Sequence, residues 1–550
     1  MPDVLLIQPP IRDYYRTAKR TLPYGLGLIA DALLEDGVSV EILDALATRK
    51  VRSLEAPPAF AHLAPFYGRP DRSPFALFHG YRHYGYAFSH IEALVRRSGA
   101  FLVGISSLFT AYWDEARETA RIVRKALPNA WIVVGGHHPT ALPASVLSSD
   151  AVDFVIRGDG EAALPALYRV LRRGASPESV PGIGFGKPDG SHVMREPAVV
   201  DALRGLGPGA LDRIHSDAYR RRGRGGAVVV ASRGCPMSCT YCAVGSGGLP
   251  YRRRPVADVL AEMDTAVARS DARFIDFEDE NLSLDPNWFH ALLAGIRERF
   301  GRRTLELRAM NGLYAPTLDA GLIDAMAEAG FSALNLSLCT THPGTLRRFR
   351  RPDLCDAVTH ALKLGQARGM DAVTYILVGA PGQRAADAVD DLLFLAELPT
   401  LAGVSVFYPA PGSVEYRRTD AAGGLPGTFA AMRSAALPVS DTTTRLESAT
   451  LLRLGRILNF MKHLRDRGIP LWDALPARPG DRIEGTDREA VGRRLLATVG
   501  QDGLIPGIAP DGRVFAHAAT GSLVDTFRDG MARRRVAGPG GAPPEMGASE

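Results

Sequence analysis

Cys235-Pro-Met-Ser-Cys239-Thr-Tyr-Cys242 is the segment of this 550-residue chain whose residue types and spacing point most directly to chemistry. Three thiols this close together can hold three irons of a cubane 4Fe-4S cluster and leave the fourth iron open to a substrate or cofactor. Two other sites use the same thiols: a zinc site completed by a distant His or Cys, and an electron-transfer cluster completed by a fourth cysteine. The chain has five cysteines in all, and the other two, Cys339 and Cys355, stand apart. A secreted disulfide scaffold would be short and dense in cysteine, so this distribution points to metal chemistry in a reducing compartment.

The composition, 46% hydrophobic and 23% charged, is that of a folded protein, and the length suggests several domains at about 100 to 200 residues each. Lys+Arg 65 against Asp+Glu 60 leaves a net charge of only +5. That is too little to announce a nucleic-acid or membrane-surface binder, so a small-molecule substrate and no nucleic-acid partner are expected. The N-terminus has a short apolar run without a basic flank. No run approaches the roughly 18 apolar residues of a membrane span, and a cytoplasmic location is expected.

The elements that must position the thiols follow from hydrophobic periodicity. Strand runs at 4–7, 38–43, 101–106 and 131–134 alternate with helical patterns at 26–35 and 113–127. This predicts an α/β, doubly wound, Rossmann-like domain over residues 1–205. A long insertion at 47–99, rich in aromatics and His, interrupts it, either as a cover over a ligand or as a packed surface excursion. Residues 206–222 are expected to be a linker. From 223 the alternation restarts, with strand runs at 227–232, 274–278, 305–310, 333–338, 372–378 and 403–408. Helical patterns lie between them at 256–268, 288–300, 318–329, 353–368 and 385–398. Six such units predict a partial (β/α) barrel over 223–435, with its chemistry at the C-terminal ends of the strands. The cysteine segment follows the first of them. A mixed, mostly helical region is expected at 436–535, and a disordered tail at 536–550, where Gly, Pro and Ala dominate.

In that position the segment resembles the signature of the radical S-adenosylmethionine (SAM) superfamily, Cys-x-x-x-Cys-x-aromatic-Cys on the loop after the first barrel strand. Cys235, Cys239, Tyr241 and Cys242 match it. The resemblance implies that the three cysteines ligate a 4Fe-4S cluster whose open iron chelates SAM. One electron, from a donor such as a flavodoxin or ferredoxin, then cleaves SAM to a 5'-deoxyadenosyl radical. It further implies SAM contacts from Tyr241 and from Glu278, Asp279 and Glu280, where Glu-Asp-Glu-Asn281 departs from the usual Gly-Gly-Glu. Arg308, Ser337, Leu377 and Gly379 are the remaining expected contacts, the last two beside the turn Pro381-Gly382-Gln383, with Gln where Glu is commoner. Cys339, just past Ser337, is the candidate catalytic hydrogen-atom donor or substrate contact, with a buried inert thiol as the alternative. Cys355 is expected to be structural.

The N-terminal half resembles the cobalamin-binding domain that precedes the barrel in one branch of that superfamily. The motifs are Leu22-Pro-Tyr-Gly-Leu-Gly-Leu28, Val103-Gly-Ile-Ser-Ser107, Val133-Val-Gly-Gly-His-His-Pro139 and Arg157-Gly-Asp-Gly-Glu161. Ser106, Ser107, Gly135, Gly136 and His137 are the expected cobalamin contacts. A dinucleotide fingerprint at Gly25-Leu-Gly-Leu-Ile-Ala30 lacks the strand immediately before it that such a motif requires. None of the thirteen His has Asp two places before it, so the Asp-x-His-x-x-Gly cobalt ligand is absent; His137 or His138 is the possible replacement. The expectation is a cobalamin-dependent radical SAM enzyme that methylates an unactivated carbon of a small molecule. In the family's scheme one SAM methylates cobalt, a second yields the radical, and the substrate radical takes the methyl group. The alternative is a non-methylating radical cyclisation, ring contraction or rearrangement. A corrinoid-binding sensor or metal-binding scaffold without catalysis is a third class. Anaerobic reconstitution is expected to yield about four irons and four sulfides per chain, with the content collapsing in C239A; a tightly bound zinc in the purified protein would overturn the cluster.

Overall fold

Val4–Gln8 reads Val-Leu-Leu-Ile-Gln and is buried on both faces, as a central parallel strand must be. In the computed structural model, which describes residues 1–15, 22–187, 189–246 and 249–534, it pairs in parallel with Val40–Asp44 on one side and Leu102–Ser106 on the other. The sheet continues through Trp131–Gly135 and Phe154–Ile156, then antiparallel through Ile183–Gly186 and His192–Met194. Val4 and Leu6 face one layer, packed on helices Tyr24–Glu35 and Gly160–Arg172. Leu5 and Ile7 face the other, with Phe88–Ser98 and Trp113–Ala126. Phe154–Ile156 and the two antiparallel edge strands have only three or four residues each, too few to carry a periodic signal. The order of the parallel strands reverses between Val4–Gln8 and Leu102–Ser106. This places a ligand crevice at their C-terminal ends.

The barrel consists of two parallel three-stranded sheets. Gly225–Val229, Ala272–Phe277 and Glu306–Ala309 form one; Ala333–Cys339, Asp371–Val378 and Leu401–Val406 form the other. Isolated bridges at Leu307–Phe331 and Leu313–Leu336 join them. Ile275, Phe277, Leu307 and Leu336 face outward into the core under the helices. By strand alternation Asp276, Arg308, Asn335, Ser337 and Tyr375 therefore face the barrel interior. A short helix, Pro343–Phe349, stands before Cys355–Gln366 in what the sequence pattern left as a loop. The last strand would expose an edge, but helix Arg445–Asp466 covers it. Asn459 there donates to Ala402 O (2.9 Å) and accepts from Ala402 N (2.7 Å), standing in for a neighbouring strand.

Residues 206–222, expected as a linker, pack beneath helix Tyr24–Glu35, with Leu206, Ala210, Leu211 and Ile214 in its core. The tail expected to be disordered at 536–550 lies outside the described residues. Among the described residues no helix is long and apolar enough to cross a membrane.

The insertion at 47–99 forms an antiparallel sheet, Ile11–Asp13 beside Tyr81–Tyr84 beside Val51–Leu54, and buries Phe60, Tyr67 and Phe75 in the same core as the C-terminal helices. It is locked there by Asp71. One carboxylate oxygen accepts from the amides of Ser73 (2.8 Å) and Ile508 (3.0 Å); the other accepts from the Ser73 hydroxyl (2.9 Å) and from His517 Nε2 (2.8 Å). Burial pushes the Asp71 carboxyl up, but the bond and charge of His517 and the two amides outweigh it and hold it below its ordinary value. The stability from this charge is therefore present above the unfolded carboxyl pKa, about 3.9, and is lost as pH falls through the folded value. Asp71→Ala is expected to destabilise the protein by about 3 kcal/mol at pH 7, because it strands buried donors. In chemical denaturation at pH 7 and pH 4, the difference from wild type should shrink at the lower pH.

Candidate active site

The cysteine loop leaves and returns through a narrow neck. Ser232–Arg233 pairs antiparallel with Arg252–Arg253, so the described residues from 234 to 246 leave the end of the first barrel strand through a paired neck. Gly234 begins it at φ +81, and a Cβ there would lie 2.5 Å from Pro250 O, so only glycine fits. The middle of the loop is pinned at Thr240. Its amide donates to Phe349 O (3.0 Å), its hydroxyl to Arg348 O (3.1 Å), and its carbonyl accepts from Glu415 N (3.0 Å). Glu415 is fully buried and ion-paired to Arg348 (2.9 Å) and Arg418 (2.7 Å). The C-terminal end of helix Pro343–Phe349 and the start of helix Val414–Ala421 thus hold the loop from behind.

Cys239 is buried and Cys235 and Cys242 are half-buried. The Cys235 thiol is pushed up by burial and further by the charges of Cys242, Cys239 and Glu280, so the three thiols share one electrostatic neighbourhood. Among the described residues no three His, Cys, Asp or Glu are gathered to hold a single metal ion. Three thiols on one loop, with no further His, Cys, Asp or Glu gathered to them among the described residues, lack the fourth ligand a structural zinc needs. Arg351, which no sequence signal singled out among so many arginines, completes the arrangement. It donates from Nη1 to Cys239 Sγ (3.8 Å) and from Nη2 to Ser337 O (2.6 Å).

The expected SAM contacts separate in space. Glu280 is half-buried beside the loop, its carboxyl raised by burial and close to the Gly234 amide, Arg233 and Arg252. Ser337 is exposed on the open face. Leu377 is half-buried, and Gly379 holds φ +72 at the turn that Gln383 closes by bonding Leu377 O (3.2 Å) and Ala380 N (3.2 Å). These positions are open to a ligand at the strand ends. Three others are taken up by contacts within the protein. Asp279 is fully buried and accepts from the Ser232 hydroxyl (2.6 Å) and the Ala231 amide (3.2 Å), with burial raising its carboxyl to about 7. It braces the first strand. Arg308 directs Nε and Nη2 to Asp276, its neighbour across the strand pair. Cys339 sits at φ +74 on a bulge, 1% exposed among Phe349, Ala380 and Phe407, and burial raises its thiol to about 12. That enclosure does not fit a hydrogen-atom donor to substrate. Tyr241 packs its ring on Phe349, centroids 4.9 Å apart, in the same apolar group. Glu278 faces inward and accepts from Asn311 Nδ2.

At the crevice of the N-terminal sheet, Gly135 leaves an open face: a Cβ there would meet nothing nearer than Ile156 O at 3.9 Å. Gly136, at φ +122, lets Ser107 O approach within 2.6 Å of where a Cβ would stand. Ser107 is buried with an unpartnered hydroxyl, Ser106 is half-buried, and His137 is exposed at the strand end. Leu108 and Phe109 are exposed beside them. An open glycine face, exposed apolar side chains and a free hydroxyl suit a flat, amide-fringed corrin. His138 is turned into the protein. It is buried between Trp113 and Phe429, Nδ1 bonded to Thr110 (3.2 Å) and Nε2 to Ser145 (3.3 Å), and burial lowers it to about 4. The two domains are joined by the Arg157-Gly-Asp-Gly-Glu161 segment. Asp159 pairs with Arg233 (2.8 Å) and Arg252 (2.6 Å), and Glu161 with Arg233 (2.7 Å), so cobalamin-side residues clasp both strands of the cluster-loop neck. Beyond the last barrel strand, the Cβ position of Gly412 lies 3.6 Å from Ala141 and 3.9 Å from Ala243, between the crevice helix and the cluster loop.

A sheet with its switch-point crevice, clasped to a partial barrel with a three-cysteine loop, defines a two-cofactor radical enzyme. The family model for the B12 binding domain matches residues 81–168, and that for the radical SAM superfamily matches residues 229–395. The chain is similar to cytidylyl-2-hydroxyethylphosphonate methyltransferase of Streptomyces wedmorensis, 24% identical over 414 residues, 69% of this chain and 73% of that protein. It is also similar to anaerobic magnesium-protoporphyrin IX monomethyl ester cyclase of Rubrivivax gelatinosus, 24% identical over 330 residues, 57% of each. Its fold matches that of the radical SAM methyltransferase TsrM from Kitasatospora setae, solved with cobalamin and a 4Fe-4S cluster bound, at a TM-score of 0.57 and 18% identity over 77% of this chain and 76% of that one. The chain thus carries a B12 binding domain followed by a radical SAM domain, and the cofactors of that pair of domains are cobalamin, a 4Fe-4S cluster and SAM.

Arg351→Met is expected to make the cluster harder to reduce, because the guanidinium donor at Cys239 favours the more negative state. Loss of about 1.4 kcal/mol of that preference would lower the midpoint by about 60 mV. A redox titration followed by electron paramagnetic resonance measures it, and an unchanged midpoint would show that Arg351 leaves the cluster's electronics alone.

Proposed function

We propose that the protein methylates an unactivated carbon of a small molecule. The observation that supports this most is the clasp of Asp159 and Glu161 on Arg233 and Arg252, which holds the crevice of the N-terminal sheet and the cysteine loop as neighbours. When bound, cobalamin would carry the methyl group, and SAM at the open iron would supply the radical. In this proposal Cys235, Cys239 and Cys242 hold the cluster, Glu280 takes the SAM amine, and Ser337 with the Leu377–Gly379 strand end contacts its nucleoside. Arg351 keeps a positive charge beside Cys239: burial opposes that charge, but Tyr241, Cys339 and Cys239 outweigh it. Gly135, Gly136, Ser106, Ser107 and His137 line the corrin side. Inside the barrel, Glu278, Asn311 and Tyr375 offer polar groups to orient a substrate, and the docked insertion and C-terminal helices keep bulk water from a reactive intermediate. The methyltransferase relative supports methyl transfer.

A non-methylating radical cyclisation is the second reading, favoured by the cyclase relative. Product analysis separates the two. With reductant, labelled SAM and substrate, methylation is expected to give S-adenosylhomocysteine and 5'-deoxyadenosine in equal amounts, with the label in the product. Turnover yielding 5'-deoxyadenosine without S-adenosylhomocysteine would exclude methyl transfer and favour cyclisation.

A further inference from the structure

The charges on the inner face of the barrel do not balance. Strand positions that alternate with the core-facing residues bring Asp276, Glu306, Arg308 and Asp371 to that face, and Glu278 at the end of the second strand. Its amide still donates to Val229 O (3.1 Å), so Glu278 continues the strand ladder and turns inward from Phe277, which lies in the core. Arg308 is matched by Asp276. Glu306, at the N-terminal end of its strand, is matched by Arg221 (3.0 Å). Asp371, also at an N-terminal strand end, faces another carboxylate, Asp466. Glu278 stands at the C-terminal end, where barrel chemistry takes place. It makes no ion pair among the described residues, and the neutral amide of Asn311 donates to it.

A half-buried carboxylate beside a second one is unfavourable unless a positive charge meets it. Burial raises the Glu278 carboxyl and the Asp276 charge raises it further; the Asn311 amide and Arg308 oppose the shift without reversing it. Asp276 also shares a hydrogen bond with Glu278, which requires a proton on one of the two carboxyls. That proton supplies the charge that Arg308, already paired, does not. A cation on a bound molecule can take its place through a charge-assisted bond. The surroundings suit an organic cation. Met310 follows Ala309 as Glu278 follows Phe277, its register partner, and is 40% exposed. Tyr375, on the same inner face, lies against Gly403, where a Cβ would stand 2.5 Å from its ring. Among the described residues no three possible ligands gather for a metal ion.

We propose that the substrate carries a protonated amine and that Glu278 is the carboxylate that receives it. This rests on the substrate site proposed above and adds the charge of the substrate to it. The ammonium group takes the position of the shared proton, which passes to solvent, and no covalent bond to carbon is made or broken. SAM is the other organic cation in question. Its amine, held at the open iron, has its own carboxylate in Glu280, whose charge acts on the Cys235 thiol. The charges that act on Glu278 are instead those of Asp276 and Arg308, inside the barrel.

The test uses the reconstituted protein with cobalamin and SAM bound and no reductant, so that binding is read without turnover. Hexylamine, hexan-1-ol and hexanoate, straight chains that differ in charge, are titrated by ligand-observed nuclear magnetic resonance. Wild type, Glu278→Gln and Glu278→Asp are compared after iron per chain and SAM affinity have been measured in each. Hexylammonium is expected to bind the wild type about tenfold more tightly than the alcohol or the carboxylate. That preference should vanish in E278Q, where the isosteric amide keeps the shape and loses the charge, and should largely persist in E278D. Cluster content and SAM affinity should stay unchanged in both variants. A wild type that binds the amine no more tightly than the alcohol, or binds none of the three, would overturn the proposal without reference to any variant. Amine binding unchanged in E278Q would overturn it by placing the partner elsewhere. A tenfold loss of SAM affinity in E278Q would overturn it by assigning Glu278 to SAM. The methylation reading fails separately, in the product analysis: turnover without S-adenosylhomocysteine leaves the charge preference at Glu278 standing.

Discussion

The structure depends on a charged clasp. Asp159 and Glu161, at the start of the helix after the fifth parallel strand, hold Arg233 and Arg252 on the two strands of the cluster-loop neck. All four side chains are largely withdrawn from water. Removing one partner of such a pair costs about 3–5 kcal/mol, whereas the intact pair adds little net stability. Its value is directional: planar guanidinium forks fix angle as well as distance. Burial pushes the Asp159 carboxyl up, but the two arginines and the Val200 amide outweigh it and keep it ionised. A second polar junction, Tyr24 to Glu262 (2.9 Å) and Glu262 to Arg254, joins the same two domains from the other face of the neck. Two such junctions bind the crevice side of the sheet and the thiol loop to each other.

The rest of the architecture follows from the need to hold a loop still at the end of a strand. Gly234 gives the neck a left-handed turn, and Thr240 is bonded on three sides between the second and third thiols. The insertion and C-terminal region belong to the same logic. A partial barrel leaves an open edge, and helix Arg445–Asp466 closes it with Asn459. Asp71, His517 and Arg453 then fasten the insertion over that helix. The result is a barrel whose mouth is approached from the N-terminal domain rather than from its side.

Much of this was legible in the sequence because hydrophobic alternation is set by local geometry. All six barrel strands lie within a few residues of their expected places, and four of the five parallel strands of the first domain were expected. Phe154–Ile156 and Pro343–Phe349 escaped because three and seven residues are too few to show a period. Of the site, spacing singled out the three thiols while leaving a zinc site and an electron-transfer cluster open, and their place after the first barrel strand carried the family resemblance. Glu278, Asp279 and Glu280 look equivalent in sequence, yet strand alternation and burial separate them: one faces the interior, one braces Ser232, and one lies beside Cys235. Arg308 was expected to meet a ligand, but its register partner is Asp276.

By itself the sequence determined the class of chemistry and the order of the elements, because metal-ligand spacing and hydrophobic period depend on residues a few positions apart. Only the tertiary structure decided which polar groups remain free for a ligand. A side chain's availability depends on partners far away along the chain: Arg351 on Cys239, Glu415 on Thr240, Asp159 on Arg252. Cys339 shows the same division, a plausible thiol at a strand end until packing encloses it. Burial and pairing are properties of the assembled molecule, and they separate the residues that can act from those that hold them in place.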